Sequence, residues 1–319
     1  MSRSRYIVVL AALVVSLTAV PTLAQVNDTY VIPVVASVAG DRGTIWSTEL
    51  NLFNPQSYPL AVRMIYLPTL TGLSTEIIVD IDANANGWVS SVLPELFETN
   101  GTGSLLVATF PEDNPGVPND VLSRSFLLNT KTFNNASTGT YGQYVPGVWA
   151  GLLDFEFDGI SSIAHGVRNS DSAGFRANVG AANLGNTTAV LYVTVYDAAG
   201  DLVADRLPFT VPFYGHLQQR LPVAVDRGTV EFFLDDPSLD AVVFPYVSVV
   251  DNRSGDAVFM NPVLLADPGI LFKYAVEKRE LGKKIDLEVA RKVSAQAKKL
   301  GRVRLVPDAN GIYQVVREK

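Results

Sequence analysis

Along most of the chain apolar and polar residues alternate with a period of two. In "AVLYVTVYDAAGDLVADRLPF", from Ala189, Leu191, Val193 and Val195 interleave with Tyr192, Thr194 and Tyr196 until Asp197 to Gly200 break the run with turn chemistry. Successive residues of a strand face opposite sides of a sheet, so such runs predict half-buried strands. Comparable short runs recur at about ten-residue intervals, separated by Gly, Pro, Asn and Asp, which predicts a β-sandwich in preference to a parallel α/β sheet. A helical period emerges only beyond residue 275. There Asp286 is placed to cap a helix in which Leu287, Ala290, Val293, Ala297 and Leu300 share one face, with Gly301 as its stop. "RVRLV" and "IYQVV" then flank "PDANG", whose Asn310-Gly311 predicts a hairpin. A helix and a hairpin are too small for a core of their own, so this tail is expected to dock on the body.

The strand pattern occurs twice. "WSTELNLFNPQSYPLAVRMIYL" from Trp46 lies over "FRANVGAANLGNTTAVLYVTVY" from Phe175, pairing Asn54 with Asn183. "GWVSSVLPELF" from Gly87 lies over "GHLQQRLPVAV" from Gly215, and "TKTFNNAST" from Thr130 over "VSVVDNRSG" from Val247. The offset drifts from 129 to 128 to 117, so loop deletions separate two copies that keep their order. "YVIPVVASV", "WSTELNLFNP" with its echo "FRANVGAANLG", and "GTYGQYVP" at the junction resemble a poorly characterised group of exported bacterial proteins with tandem immunoglobulin-like β-sandwich repeats. The resemblance spans Tyr30 to Pro262 and excludes the tail. It implies fold and export, and lends no catalytic residue.

The fold class expected is therefore all-β: two tandem immunoglobulin-like β-sandwich domains, over 25–143 and 144–266, with a small C-terminal helix-plus-hairpin tail over 267–319. Residues 1–24 read as a cleaved signal peptide. Arg3 and Arg5 precede the apolar run Ile7 to Val20, and Thr22-Leu23-Ala24 supplies small residues at the cleavage site. That run is short for a membrane anchor, so no membrane span is expected in the mature chain. The location expected is extracellular, cell-surface or periplasmic. The sequence has no cysteine, which removes thiol catalysis, cysteine-ligated metal and disulfide staples.

Charge divides the molecule. Residues 25–272 hold 10 Lys+Arg against 26 Asp+Glu, whereas residues 273–319 hold 13 against 6. The basic tail residues Lys283, Lys284, Arg291, Lys292, Lys298 and Lys299 suggest contacts with an acidic surface, on the body or on a neighbouring copy. Nucleic acid is not expected as a partner of an exported, acidic chain.

Candidate chemistry is sparse. "DIDANANGW" places Asp80, Asp82, Asn84 and Asn86 at calcium-loop spacing, but position 12 of a loop begun at Asp82 is Leu93, where a bidentate Glu belongs. The second copy makes the same corner as "PFTVPFYGH", without ligands, so a Gly-closed turn is the reading preferred to calcium; no other cofactor is expected. Glu112-Asp113 and Asp235-Asp236 read as solvated turns, and Asp154, Glu156 and Asp158 as the wet side of a strand, in preference to the paired carboxylates of a glycosidase. Ser161, Ser162 and His165 lie close in sequence but outside any nucleophile elbow. Aromatic side chains are the better binding chemistry: Trp88, Trp149, Tyr141 and Tyr144 could stack on sugars or peptides. Trp46 aligns with Phe175 and reads as core, while Trp88 aligns with the less apolar His216 and is the better candidate for the surface, although core or rim packing is the reading preferred even there. The function expected is that of an exported non-catalytic binding or adhesion protein, its partner an extracellular protein or polysaccharide. The alternative is a structural subunit that meets copies of itself through its basic tail or N-terminal strand, and a carboxylate hydrolase is a third reading.

Overall fold

A computed structural model of the protein describes residues 28–136, 139–149, 161–234, 242–265, 287–309 and 311–318. The expected signal peptide lies outside these residues. The chain is mostly β and sandwich-like. In the first half, strands β1 (Thr29–Ala39), β2 (Ile45–Phe53), β3 (Leu60–Pro68), β4 (Thr75–Ile81) and β5 (Asn86–Val89) precede a short helix, α1 (Val92–Phe97). Strands β6 (Gly101–Ala108), β7 (Leu127–Ala136), β8 (Gly139–Pro146) and β9 (Val148–Trp149) follow. One ladder runs β4-β3-β6-β1-β9 and the other β5-β2-β7-β8. They join where Ser37 to Ala39, at the end of β1, also pair with β2.

The second half repeats this plan. Its strands are β10 (Ser161–Asn169), β11 (Phe175–Asn183), β12 (Ala189–Tyr196), β13 (Leu202–Val211), β14 (Gly215–Arg220), β15 (Val225–Leu234), β16 (Val243–Asp251), β17 (Ala257–Met260) and β18 (Val263–Leu265). They form the sheets β13-β12-β15-β10-β18 and β14-β11-β16-β17, the same order strand for strand. The paired asparagines do the same work in both copies. Buried Asn54 donates to the Tyr58 and Asp82 carbonyls and accepts from the Gln56 amide; buried Asn183 donates to the Thr187 and Val211 carbonyls and accepts from the Gly185 amide. Each ties a β-turn to the end of a strand 28 residues on.

Each copy closes on an alternating core. Ile32 and Val34 of β1, Leu50 and Leu52 of β2, Val62 and Met64 of β3, and Leu105 and Val107 of β6 meet in the first, where α1 adds Leu93 and Leu96. Val179, Leu191, Val193, Phe232 and Val247 meet in the second. A third apolar cluster joins the copies. Val31, Ile65, Leu67, Leu106 and Ala108, on the outer face of β1, β3 and β6, pack against Ala182, Leu184, Tyr214 and Phe244 of the second copy. Consequently β16 is buried on both faces: Val243, Val247 and Val249 enter their own core, while Phe244 and Tyr246 turn to the first copy. Gly180 makes room for this, because a Cβ there would lie 2.0 Å from the Tyr246 ring.

The tail completes the first copy. A helix, α2, has its described turns over 287–296, and β19 (Lys298–Pro307) and β20 (Tyr313–Arg317) form the expected hairpin. β19 adds to the open edge of β4 in parallel, with Val303 opposite Val79. Val303 and Leu305 enter the first core, and Ala290, Val293 and Ala297 cap the inter-copy cluster. The helix ends earlier than its apolar face predicts. Leu300 and Gly301 lie in β19, Gly301 (φ 93°) at an irregularity in the ladder, so the glycine bends a strand and ends no helix. The extended ladder to β4, with two apolar residues buried behind it, outweighs another helical turn. β8 continues to Pro146 and β9 pairs with β1, so first-copy strands cross the boundary expected at 143/144.

Candidate functional site

The acidic loop and the basic tail, read in the sequence as a possible calcium site and a possible assembly element, meet within the chain. Asp80 lies 3.2 Å from Arg302, and Asp82 pairs with Arg304. Lys299 reaches Glu76 at 2.8 Å, Arg291 reaches Glu112 at 3.3 Å and Arg317 reaches Glu98 at 2.9 Å. Asn84 adopts the left-handed turn conformation (φ 50°), and Asn86 opens β5 opposite Phe53. Among the described residues no group of three or more His, Asp and Glu side chains is placed to hold a metal. Lys292 pairs with Glu288 one helical turn away, Lys298 is exposed at the start of β19, and Lys283 and Lys284 lie outside the described residues. Burial raises the Asp80 pKa, against the pull of Arg302.

The other carboxylates are also engaged or out of view. Asp113 takes a bidentate pair from Arg63 at 2.7 and 2.8 Å. Asp154, Glu156, Asp158, Asp235 and Asp236 lie outside the described residues. Ser162 is buried while His165 is exposed, on opposite faces of β10.

The aromatic candidates separate. Tyr144 is 61% exposed on β8, Tyr141 and Trp88 are half-buried, and the Trp149 side chain lies outside the described set. Trp46, expected in the core, is half-buried and donates to Thr44. His216, aligned with Trp88 as the less apolar of the two, is fully buried between the copies. Its Nδ1 lies 2.8 Å from the Thr69 hydroxyl and its Nε2 2.9 Å from that of Tyr246, which donates to Gln218. Desolvation lowers its pKa to about 3, so the ring is neutral. Alignment with Trp88 could not reveal this, because part of the cover, Thr69 and Leu70, belongs to the other copy.

One surface was not singled out from sequence. Register for register, the pairs Arg63–Ala108 and Ile65–Leu106 of the first copy correspond to Tyr192–Phe233 and Thr194–Glu231 of the second. In the first copy Ile65 and Leu106 are buried under the second copy. In the second copy the Tyr192 and Phe233 rings stack with centroids 5.6 Å apart on a half-exposed face. Arg206 lies 4.5 and 4.8 Å from the two ring centroids, and the Tyr196 hydroxyl donates to Glu231. The signal was present in the alternation Tyr192, Thr194, Tyr196, where the first copy has Arg63, Ile65, Leu67.

A polar cleft of about 310 Å³ opens at the other side of the inter-copy contact. Asp41 and the β7–β8 hairpin, with Asn134, Asn135 and Tyr141, form one wall. Arg176 of β11 and the β16–β17 turn, Asn252 to Gly255, form the other. Arg176 donates to Asn252 Oδ1 at 2.5 Å. No protein-family model matches the chain, and no curated protein does.

Proposed function

We propose that the protein is an exported, non-catalytic binding or adhesion protein whose ligand contact is the open face of β12 and β15. One observation carries this reading. On the same sheet face Ile65 and Leu106 of the first copy are buried under the second, whereas the second copy presents stacked, arginine-flanked and half-exposed aromatic rings. Stacked rings beside a guanidinium suit a sugar ring or an extended peptide, which fits an extracellular polysaccharide or protein as partner. Tyr144 adds a second exposed aromatic contact on β8. Immunoglobulin-like architecture is part of the proposal. β2 pairs with β5, and β3 with β4 and β6, an interleaving found in such sandwiches. The reading as a structural subunit is less favoured, since β1 is laddered on both sides and β19 is laddered to β4.

A glycan and surface-protein binding screen with the mature chain, run beside the Tyr192→Ala/Phe233→Ala variant, tests the proposal. Loss of the bound ligand by a variant with unchanged thermal stability is the expected result. A ligand held equally well by the variant removes this face from the function.

A further inference from the structure

We propose that the cleft between the copies is a separate binding site for a carboxylate-bearing sugar of the uronate type. Residues 25–272 carry 10 basic residues among 26 acidic ones, yet two of those ten, Arg176 and Arg253, line this one cleft, against a single lining carboxylate, Asp41. Asp41 is solvated at the rim, its side chain 79% exposed and 3.8 Å from the Arg176 guanidinium. A ligand carboxylate entering from solvent can take that place at closer range.

The second observation is an amide. The Arg176 side chain is 8% exposed and donates to Asn252 Oδ1, which fixes which end of the Asn252 amide is oxygen and which is nitrogen. Asn252 Nδ2 is buried and has no hydrogen-bond partner. A buried donor without an acceptor is costly, and a carboxylate oxygen supplies the acceptor in its strongest form. Guanidinium and amide nitrogen belong to two side chains already in contact, so both can address one carboxylate.

The rim selects a sugar over a bare anion. Half-buried Tyr141 stands on the opposite wall, paired across the hairpin with Asn134, and Ser254 lies on the turn across from them. Amides and hydroxyls both donate and accept, as ring hydroxyls require, and a tyrosine offers a ring face. The volume stands at the lower end of the roughly 300–1,000 Å³ usual for small-molecule sites, which suits one or two sugar units. The walls come from both copies, so the site exists only because they are packed together.

The test is calorimetric titration of the mature chain with glucuronate and galacturonate, beside glucose, acetate and inorganic phosphate, through the millimolar range. Uronates are expected to bind where glucose and acetate do not. Asn252→Asp replaces the free donor by a negative charge at the same size and is expected to weaken uronate binding at least tenfold. Arg253→Gln, at an exposed position, should weaken it severalfold without touching the fold. Thermal unfolding of each variant identifies any that misfold. Equal binding of acetate or phosphate and uronate overturns the sugar assignment; binding unaffected by either variant, or no uronate binding at all, overturns the site. The aromatic face of β12 and β15 is a different surface, so these outcomes leave that proposal to its own screen.

Discussion

At the scale of single residues, His216 shows how much environment adds to residue type. Its ring is fully buried and meets only the neutral hydroxyls of Thr69 and Tyr246 in its hydrogen bonds, and desolvation lowers its pKa to about 3, from 6.5 for an exposed ring. The unfolded chain therefore binds a proton between those two values that the folded chain refuses. A group with a depressed folded pKa stabilises the fold above its unfolded pKa, and that contribution fades as pH falls toward the folded value. At up to about 1.4 kcal/mol per pH unit, this one residue should remove roughly 2 kcal/mol between pH 6.5 and 4.5. His216→Gln should lower stability at neutral pH yet lose about that much less on acidification, measured by urea unfolding at both pH values. If the variant and the parent chain lose stability in parallel, some other group carries the acid sensitivity. Sequence displayed the histidine and aligned it with Trp88. It could not display Thr69, 147 residues away, lying over it.

At the scale of elements, strand alternation, the hairpin at Gly311 and the order of the two copies were all legible, because each depends on periods of two and on turn residues close in sequence. The end of α2 was not. Ala297 and Leu300 fit a helical face, and the competing ladder from β19 to β4 depends on a strand more than two hundred residues earlier. Docking of that tail also looked electrostatic in the sequence, since a basic segment follows an acidic body. Magnitudes point the other way. The Arg304–Asp82 pair is about half exposed on both sides, and such solvated surface pairs contribute little to stability. Leu305 is 6% exposed and fills the space that Gly87 leaves, where a Cβ would lie 2.6 Å from it. Truncating a buried leucine costs about 2–5 kcal/mol. Leu305→Ala should accordingly lower stability by that amount and speed hydrogen exchange in β4 and β19, whereas Arg304→Gln should leave stability nearly unchanged. Release of β19 by Arg304→Gln, or by high salt with Leu305 intact, would establish the electrostatic account instead.

At the scale of the whole molecule, tandem repeats suggest two bodies on a string, and the packing joins them through an apolar seam. Part of the evidence lay in the sequence: β16 reads "VFPYVSVVD", and its run of apolar residues on both parities is the mark of a strand covered on two sides. What covers it was not readable, because Ile65 and Leu106 look like ordinary strand residues until Phe244 is seen above them. The seam has a thermodynamic consequence. Phe244 is fully buried there, Phe232 is fully buried in the interior of the second copy, and replacing either by alanine costs about 3–5 kcal/mol. Phe232→Ala weakens the second copy but leaves the copies coupled, so heat unfolding should remain one transition, moved to lower temperature. Phe244→Ala removes coupling itself, so calorimetry should show the transition broadening or dividing, with the van't Hoff enthalpy falling below the calorimetric one. Two transitions in the unmodified chain, neither displaced by Phe244→Ala, would mean that the seam contributes little and that each copy stands on its own interior.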